Sequence, residues 1–374
     1  MKIDRIELMV VGPEVKRYTW SHDLPEQFQS LTILRLFTDQ GLEGVAGVWN
    51  AASYDYDRYT AEALRHLLPI LIDRDPREFE KILFDLRPRV FPLPPGAMSL
   101  IEIALLDLEG KFKGLPIYKV LGGQLDEIQS YASTPMYNDV ESYMDKIDEF
   151  VDQGFRAVKF HTWCIPEDDL LLAQEARRRF PELTFMLDAE NNYKFNDGLK
   201  MADALSELDF EWFEAPYPDD DLDAYRQITK QSNIPIVPSG NWVQDLSLFK
   251  ECLQTATWSR SRTDITIMGG IRPALNAMKA SEQAGMKCEL MSWGYTLASV
   301  ANLHVMLAAG NCSYFEQSLP YDLFEYGVLD KIRTDSSGMI RGPQQPGLGV
   351  NVDWDMMGTR KIYSISCDKT GVIH

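Results

Sequence analysis

From about residue 128 onward, short apolar stretches recur with amphipathic stretches between them, and this regularity restricts the fold more than any other feature. The apolar stretches end near Tyr131, Lys159, Asp188, Glu214, Gly240, Asp264, Met291 and Glu316, so successive ends fall 24 to 29 residues apart. The intervening segments, among them YMDKIDEFVDQ, LLLAQEARRRF, MADALSELD and ALNAMKASEQAG, carry apolar residues at three- and four-residue spacing, the period of a helix face. Eight strands alternating with helices predict a closed parallel β/α barrel. The units share a pattern rather than a sequence, so the period reflects architecture and not an internal repeat.

The residues before the barrel have a different texture. Through residue 60, IDRIELMVV and LTILRLFTD alternate as strands do, and DQGLEG reads as a turn into a further strand. AEALRHLLPILI, DPREFEKILFDL and SLIEIALLDLEGKFKG then follow helical spacing, which together makes an α+β module. After residue 320 the pattern breaks into a Gly- and Pro-rich tail (RGPQQPGLGV) that is expected to return to the first module. The predicted fold is α/β: a modified TIM barrel of eight parallel strands with an N-terminal α+β capping domain completed by the C-terminal tail. The expected boundaries are 1–127, 128–320 and 321–374.

Charge and cysteine usage exclude several classes. The chain has 37 Lys and Arg against 56 Asp and Glu, a net charge of −19, which repels phosphate backbones and anionic lipid. Neither nucleic acid nor a membrane is an expected partner. Five cysteines (Cys164, Cys252, Cys288, Cys312, Cys367) without CxxC spacing argue against a disulfide framework or a structural zinc site. The opening MKIDRIELMVVG carries charges where a signal peptide needs an apolar core, so a cytoplasmic protein is expected. There is no GxGxxG, Walker or GxSxG motif, and GGIR reads as a strand-to-helix turn.

In a barrel of this kind chemistry sits at the C-terminal ends of the strands. Read there, the second strand (GFRAVKFHT) offers Lys159 and His161 on one face, because strand side chains alternate. The third offers Asp188, Glu190 and Asn191, the fourth Glu214, and the fifth Ser239 and Asn241. The sixth, taken as DITIM, offers Asp264; the seventh offers Glu289 or Ser292, and the eighth Glu316. Asp188 and Glu214 on adjacent strands make an oxygen-rich pocket suited to Mg²⁺. Each such acid also stands where a helix N-cap would, and His161 could simply fill the barrel. The ring taken together favours a site.

These fragments, in this order, resemble the mandelate racemase/muconate lactonizing enzyme family of the enolase superfamily. SLIEIALLDLEGKFKGLPIYKVLGG is similar to the segment closing the family's capping domain, AVKFHT to its Lys-x-Lys strand, and LDAEN and WFEAP to its first two metal-ligand strands. DITIMGGI, YFEQS and GMIRGPQQPGLGVNVD are similar to its sixth strand, eighth strand and C-terminal signature. The resemblance implies Mg²⁺-assisted removal of the proton α to a carboxylate, a small-molecule carboxylate substrate and a homo-oligomer. It implies Asp188 and Glu214 as metal ligands, Glu316 as the acid near the substrate carboxylate, and Lys159 as the first Lys of the pair. His161 stands where the second, basic Lys would be; an imidazole suits general-base work.

Two departures matter. The third metal ligand falls at Gly240-Asn241, where Asn241 offers only a neutral carbonyl; Glu190 is the alternative, or is merely a loop acid. Asp264 is present, but Met291 stands where many members place a His to pair with it. Of the five His, His22, His66 and His374 lie outside the barrel and His304 sits on an apolar helix as a core residue. Glu289 is a substitute partner or a buried structural acid. A single-sided base suits syn β-elimination, so the leading expectation is an acid-sugar dehydratase. A racemase or epimerase using Glu289, and a ligand-binding protein on a decayed scaffold, are the alternatives. Trp20 and His22 in one cap loop, and Trp49, Tyr54 and Tyr56 in another, are candidate substrate contacts or ordinary cap-barrel packing.

Overall fold

The computed structural model describes residues 1–12, 30–49, 54–90, 93–123 and 125–373, with the side chains of 54–56 and 373 excepted. The N-terminal strands β1 (Ile3–Val11), β2 (Leu31–Thr38) and β3 (Glu43–Val48) form an antiparallel meander. Their alternating apolar residues, such as Ile6, Leu8, Leu34 and Leu36, are buried against helices. The stretch expected as one helix over AEALRHLLPILI divides into Tyr54–Leu64 and the short Leu68–Leu71. Pro69 is the reason: it lies in the first turn of the second piece, where its missing N–H is harmless, and it cannot continue the first. Helices Phe79–Val90 and Pro95–Lys113 complete the cap, the latter ending at Gly114 in the left-handed conformation (φ +67°).

The barrel strands are β4 (Glu127–Ser133), β5 (Ala157–His161), β6 (Thr184–Asp188), β7 (Trp212–Glu214), β8 (Ile236–Val237), β9 (Ser261–Thr263), β10 (Cys288–Leu290) and β11 (Phe315–Ser318). One ladder runs β11-β4-β5-β6-β7-β8, and β9 pairs in parallel with β10. A pair of hydrogen bonds bridges each of the two seams between them. The amides of Ser259 and Arg260 donate to the Ile236 carbonyl, and Ser292 Oγ donates to the carbonyl of Glu316, whose own amide donates back to that hydroxyl. Tyr131, Ala157, Met186, Trp212 and Val237 pack together as a small apolar cluster separate from the main core. The sixth strand is shorter than expected. Ile265–Met268 is a helical turn rather than strand, because the Asp264 carboxylate accepts the Ile267 amide as an N-cap and Gly269 (φ +86°) ends the turn.

After the barrel, β12 (Met339–Arg341) pairs antiparallel with β4, while β13 (Lys361–Asp368) and β14 (Gly371–Ile373) extend the N-terminal sheet in the order β14-β13-β1-β2-β3. Buried Asp107 on the long cap helix ties these parts together. Its two oxygens accept the amides of Val45 and Leu348, each at 2.7 Å. The neighbouring Gly347 (φ +75°) must lack a side chain, since a Cβ there would lie 2.0 Å from Asp107 Oδ1. His304 is a core residue: Nδ1 accepts the Tyr118 amide, Nε2 donates to the Leu348 carbonyl, and burial lowers its pKa to about 4. Among the described residues no helix is long and apolar enough to cross a membrane.

Candidate active site

Strand alternation turns Lys159 and His161 of β5 the same way, and the parallel register sets His161 beside Asp188 and Asp188 beside Glu214. Three consecutive strands therefore present their terminal side chains at one height. Lys159 is the centre of the cluster. Its Nζ lies 3.0 Å from Asp188 Oδ2, 2.8 Å from Glu214 Oε1 and 3.0 Å from Glu316 Oε1, which uses all three ammonium protons. Burial opposes the charge, yet Glu214 and Glu316 hold the ammonium well above its ordinary pKa. Burial likewise opposes ionisation of Asp188 and Glu316, but Lys159 overrides it: Asp188 falls well below the carboxylate range and Glu316 to about 2. For Glu214 burial prevails over Arg262 and Lys159, and its carboxyl rises to about 7.

His161 has a fixed tautomer. Nδ1 makes a short hydrogen bond to the backbone carbonyl of Thr134, an acceptor, so Nδ1 carries the proton and Nε2 is the working nitrogen. Nε2 lies 3.4 Å from Asp188 Oδ2 and 3.2 Å from Glu190 Oε1. Glu190 reaches back because it and Asn191 take left-handed conformations (φ +47° and +65°) after β6, with the Glu190 amide donating to Asp188 Oδ1. Burial and Lys159 disfavour the imidazolium, but hydrogen bonds to Asp188 and Glu190 raise the pKa to about 10. The indole of Trp293 meets the imidazole edge-on, ring centroids 5.4 Å apart.

The structure thus gathers Lys159, His161, Asp188, Glu190, Glu214 and Glu316. It does not gather two other expected members. Asn241 is exposed; its amide group bonds Ser239 Oγ at 3.3 Å and its backbone N–H donates to Asp219, so it is turned to its own loop. Asp264 serves as the helix cap described above, and burial raises its carboxyl to about 6. Glu289 bonds the Ser313 amide and pairs with Arg260 at 3.3 Å, which places it with groups preceding β9 and β11 rather than with His161. Trp49 packs against Gly294, where a Cβ would lie 2.7 Å from the indole; the cap thereby meets the loop that carries Trp293. Trp20 and His22 lie outside the described residues, as do the side chains of Tyr54 and Tyr56.

Sequence reasoning missed Arg262 on β9. Its guanidinium is buried, with Nη2 3.1 Å from Glu214 Oε1 and 2.8 Å from Glu316 Oε2. Burial would lower its pKa, but the two acids keep it well above the usual value. The available signal was alternation: Arg262 is two residues before Asp264 and faces the same way.

Mg²⁺ requires an octahedron of hard oxygens at about 2.0–2.1 Å. Asp188 and Glu214 are in place, but the third corner is Gly240, where a Cβ would lie 3.0 Å from Arg262. The carboxylate oxygens there already face protein donors; Glu214, for instance, accepts from Lys159 on Oε1 and from Trp212 Nε1 on Oε2. The one group among the described residues with metal-ligand geometry is His161, Asp188 and Glu190. An ion there would occupy Nε2, the only basic nitrogen left on the imidazole. The expected set of Asp188, Glu214 and Asn241 therefore does not fit a resident Mg²⁺; Glu190, the alternative third ligand, does lie with Asp188, but in a group completed by His161 rather than by Glu214.

A capped parallel barrel with buried acids and bases at its strand ends defines an enzyme architecture of recognisable kind. The chain belongs to the mandelate racemase/muconate lactonizing enzyme family of the enolase superfamily: residues 6–122 match the Mandelate racemase / muconate lactonizing enzyme N-terminal domain and residues 142–356 the Enolase C-terminal domain-like family. A solved structure of a mandelate racemase/muconate lactonizing enzyme candidate from Pseudovibrio sp. is 34% identical, with a TM-score of 0.94 over 98% of this chain and 99% of that one. D-glucarate dehydratase from Agrobacterium tumefaciens, solved with magnesium, is 26% identical with a TM-score of 0.84, covering 97% and 100% of the two chains. N-succinyl-L-Arg/Lys racemase of Bacillus cereus is 25% identical over 96% of this chain and 97% of its own. Dehydratases and racemases are thus both among the relatives.

Proposed function

We propose that this protein is an acid-sugar dehydratase in which His161 removes the proton α to a substrate carboxylate and delivers it to the departing β-hydroxyl. The single observation that carries this reading is the one-sidedness of the site. His161 Nε2 is poised at the strand ends, whereas the strand-seven side presents Trp293, Asp264 is engaged as a cap and Glu289 lies elsewhere. Racemisation needs a second base on the opposite face; syn elimination needs one group only.

In the first step the resting imidazolium passes its Nε2 proton to Glu190, 3.2 Å away, whose carboxyl burial raises above its ordinary value; Nε2 then takes the α-proton and the C–H electron pair becomes the enediolate. The cationic Lys159 ammonium, fixed before the reaction, stabilises the charge that develops. In the second step the imidazolium gives that proton to the β-oxygen, the C–O bond breaks, and water leaves. The resulting enol tautomerises to a 2-keto-3-deoxy acid, and His161 is again neutral. Thr134 holds the ring and its tautomer throughout.

The test is a library of aldonic, aldaric and uronic acids, with 2-keto acid formation as the readout. Product from at least one acid, and none with His161→Gln, is the expected result. Exchange of the α-proton with D₂O without elimination would replace this reading with a racemase or epimerase.

A further inference from the structure

Sequence and structure disagree about how the developing negative charge is met, and Arg262 is the residue at which they part. We propose that the guanidinium of Arg262, together with Lys159, takes the part of a divalent ion in this protein, forming a metal-independent cradle for the substrate carboxylate and its enediolate. This rests on the proton-abstraction reading above and names a further residue for it.

Four observations converge. First, Nη2 of Arg262 lies between Glu214 and Glu316 and pairs with both, at 3.1 and 2.8 Å. Second, the neighbouring strand has made room. Gly240 has φ +83°, and the three nearest atoms to a Cβ built there all belong to Arg262, its Cγ and its carbonyl carbon and oxygen at 3.0 Å. A side chain at 240 would press on the backbone and on the arginine stem of residue 262, and glycine leaves both undisturbed.

Third, the acids are already served. Asp188 accepts from the Glu190 amide and from Lys159. Glu214 accepts from Lys159, Arg262 and Trp212, and Glu316 from Ser133, Lys159, Arg262 and the Ser292 amide. An ion would have to displace fixed cations from these oxygens.

Fourth, Arg262 has donors to spare. Its Nε and Nη1 are buried and reach no carboxylate or carbonyl oxygen, the guanidinium's further neighbour being the phenol of Tyr131, a neutral group. A buried guanidinium nitrogen without an acceptor is costly unless a ligand supplies one. Lys159, by contrast, has all three protons engaged, so Arg262 is the cation of this cluster with N–H groups left for a carboxylate. A planar fork of N–H groups matches carboxylate geometry, and fixed dipoles and charges of this sort are what stabilise an enediolate.

The experiment uses oxalate, a planar dianion that imitates an enediolate, and reads binding by calorimetry without any turnover. Wild-type protein is expected to bind oxalate equally in chelator and in millimolar Mg²⁺, and to show neither heat on Mg²⁺ titration nor bound metal by elemental analysis. Arg262→Met is expected to weaken oxalate by on the order of ten- to a hundredfold, with Arg262→Lys recovering part of the loss. Stoichiometric Mg²⁺ uptake by the wild type, oxalate binding only in the presence of Mg²⁺, or unchanged affinity in a folded Arg262→Met would each overturn the proposal. The wild-type measurements decide even if a variant does not fold. A protein that binds oxalate without metal yet eliminates water from no acid would support the cradle and defeat the dehydratase, so the two failures are separable.

Discussion

Lys159→Met removes the central charge while keeping the length of the side chain, and its effect on stability follows from what each acid retains. Glu214 and Glu316 keep Arg262, whereas Asp188 keeps the Glu190 amide and the imidazole of His161. Breaking a buried ion pair from one side costs about 3–5 kcal/mol, and the surviving arginine puts this case near the lower figure, about 3 kcal/mol. The pH dependence is the sharper signature. In the wild type, Asp188 and Glu316 have depressed carboxyls, so the stability they contribute is present above their unfolded pKa values, near 4, and is lost as pH falls through the folded ones. Without Lys159 their folded pKa values rise above the unfolded ones. Their contribution is then greatest below about pH 4 and fades as pH rises. The deficit of the variant therefore grows from pH 5 to pH 8. Urea midpoints at the two pH values, followed by far-ultraviolet circular dichroism, measure it. A deficit equal at both pH values, or below about 1 kcal/mol at pH 8, would refute the account of Lys159 as the charge that holds the acids ionised.

His161→Gln should lower kcat by about 10²–10⁴ with KM little changed, and should abolish exchange of the substrate α-proton in D₂O; retained exchange would assign the base elsewhere. Glu102 joins the cap helix to the start of helix Ile271–Gln283 by accepting the Ile271 and Arg272 amides, and burial raises its carboxyl to about 7. Because the folded protein holds that proton more tightly, this group lowers stability as pH rises from about 4.5 to about 7, by about 3 kcal/mol in all. Glu102→Gln should remove that component from the stability-pH curve, and an unchanged curve would count against it. Gly294→Ala places a methyl against the Trp49 indole at a position with φ +133°. It should cost about 1–3 kcal/mol and alter tryptophan fluorescence; wild-type stability and emission would show that the contact is loose.

The barrel was legible because a βα unit has a nearly fixed length, so regular spacing alone counted the strands. The acids at β6 and β7 were legible for a related reason: in LDAEN and WFEAP the charge falls where an apolar strand stops. That logic has a physical limit, visible at Asp264. A carboxylate after a strand can face the barrel mouth or fold back onto the first turn of the next helix, and the residue types are the same in both cases. Here the Ile267 amide claimed it, so the segment DITIM, apolar enough to read as strand, became a helical turn. Pro69 shows the reverse. Its effect on the cap helix depends only on its own ring and missing N–H, and sequence contains that information in full.

Arg262 was hidden for a different reason. Its meaning depends on a side chain that is absent nearby, since a side chain at position 240, 22 positions earlier in the chain, would press on the backbone and stem of residue 262. Read alone, Gly240 was a lost ligand and Arg262 an ordinary strand residue. Read in contact they are one change, in which a flexible anionic ligand gives way to a rigid cation of the opposite sign. A lost carboxylate by itself would leave Glu214 and Glu316 facing one another across Lys159 with less positive charge than before. Arginine restores the balance and keeps its charge at any pH the protein meets, whereas an ion held by two acids would exchange with solvent. The pairing of Gly240 with Arg262 therefore distinguishes a rebuilt site from a decayed one. Decay accounts for the missing acid but gives no reason for a buried guanidinium, with two nitrogens that reach no carboxylate or carbonyl, packed beside it.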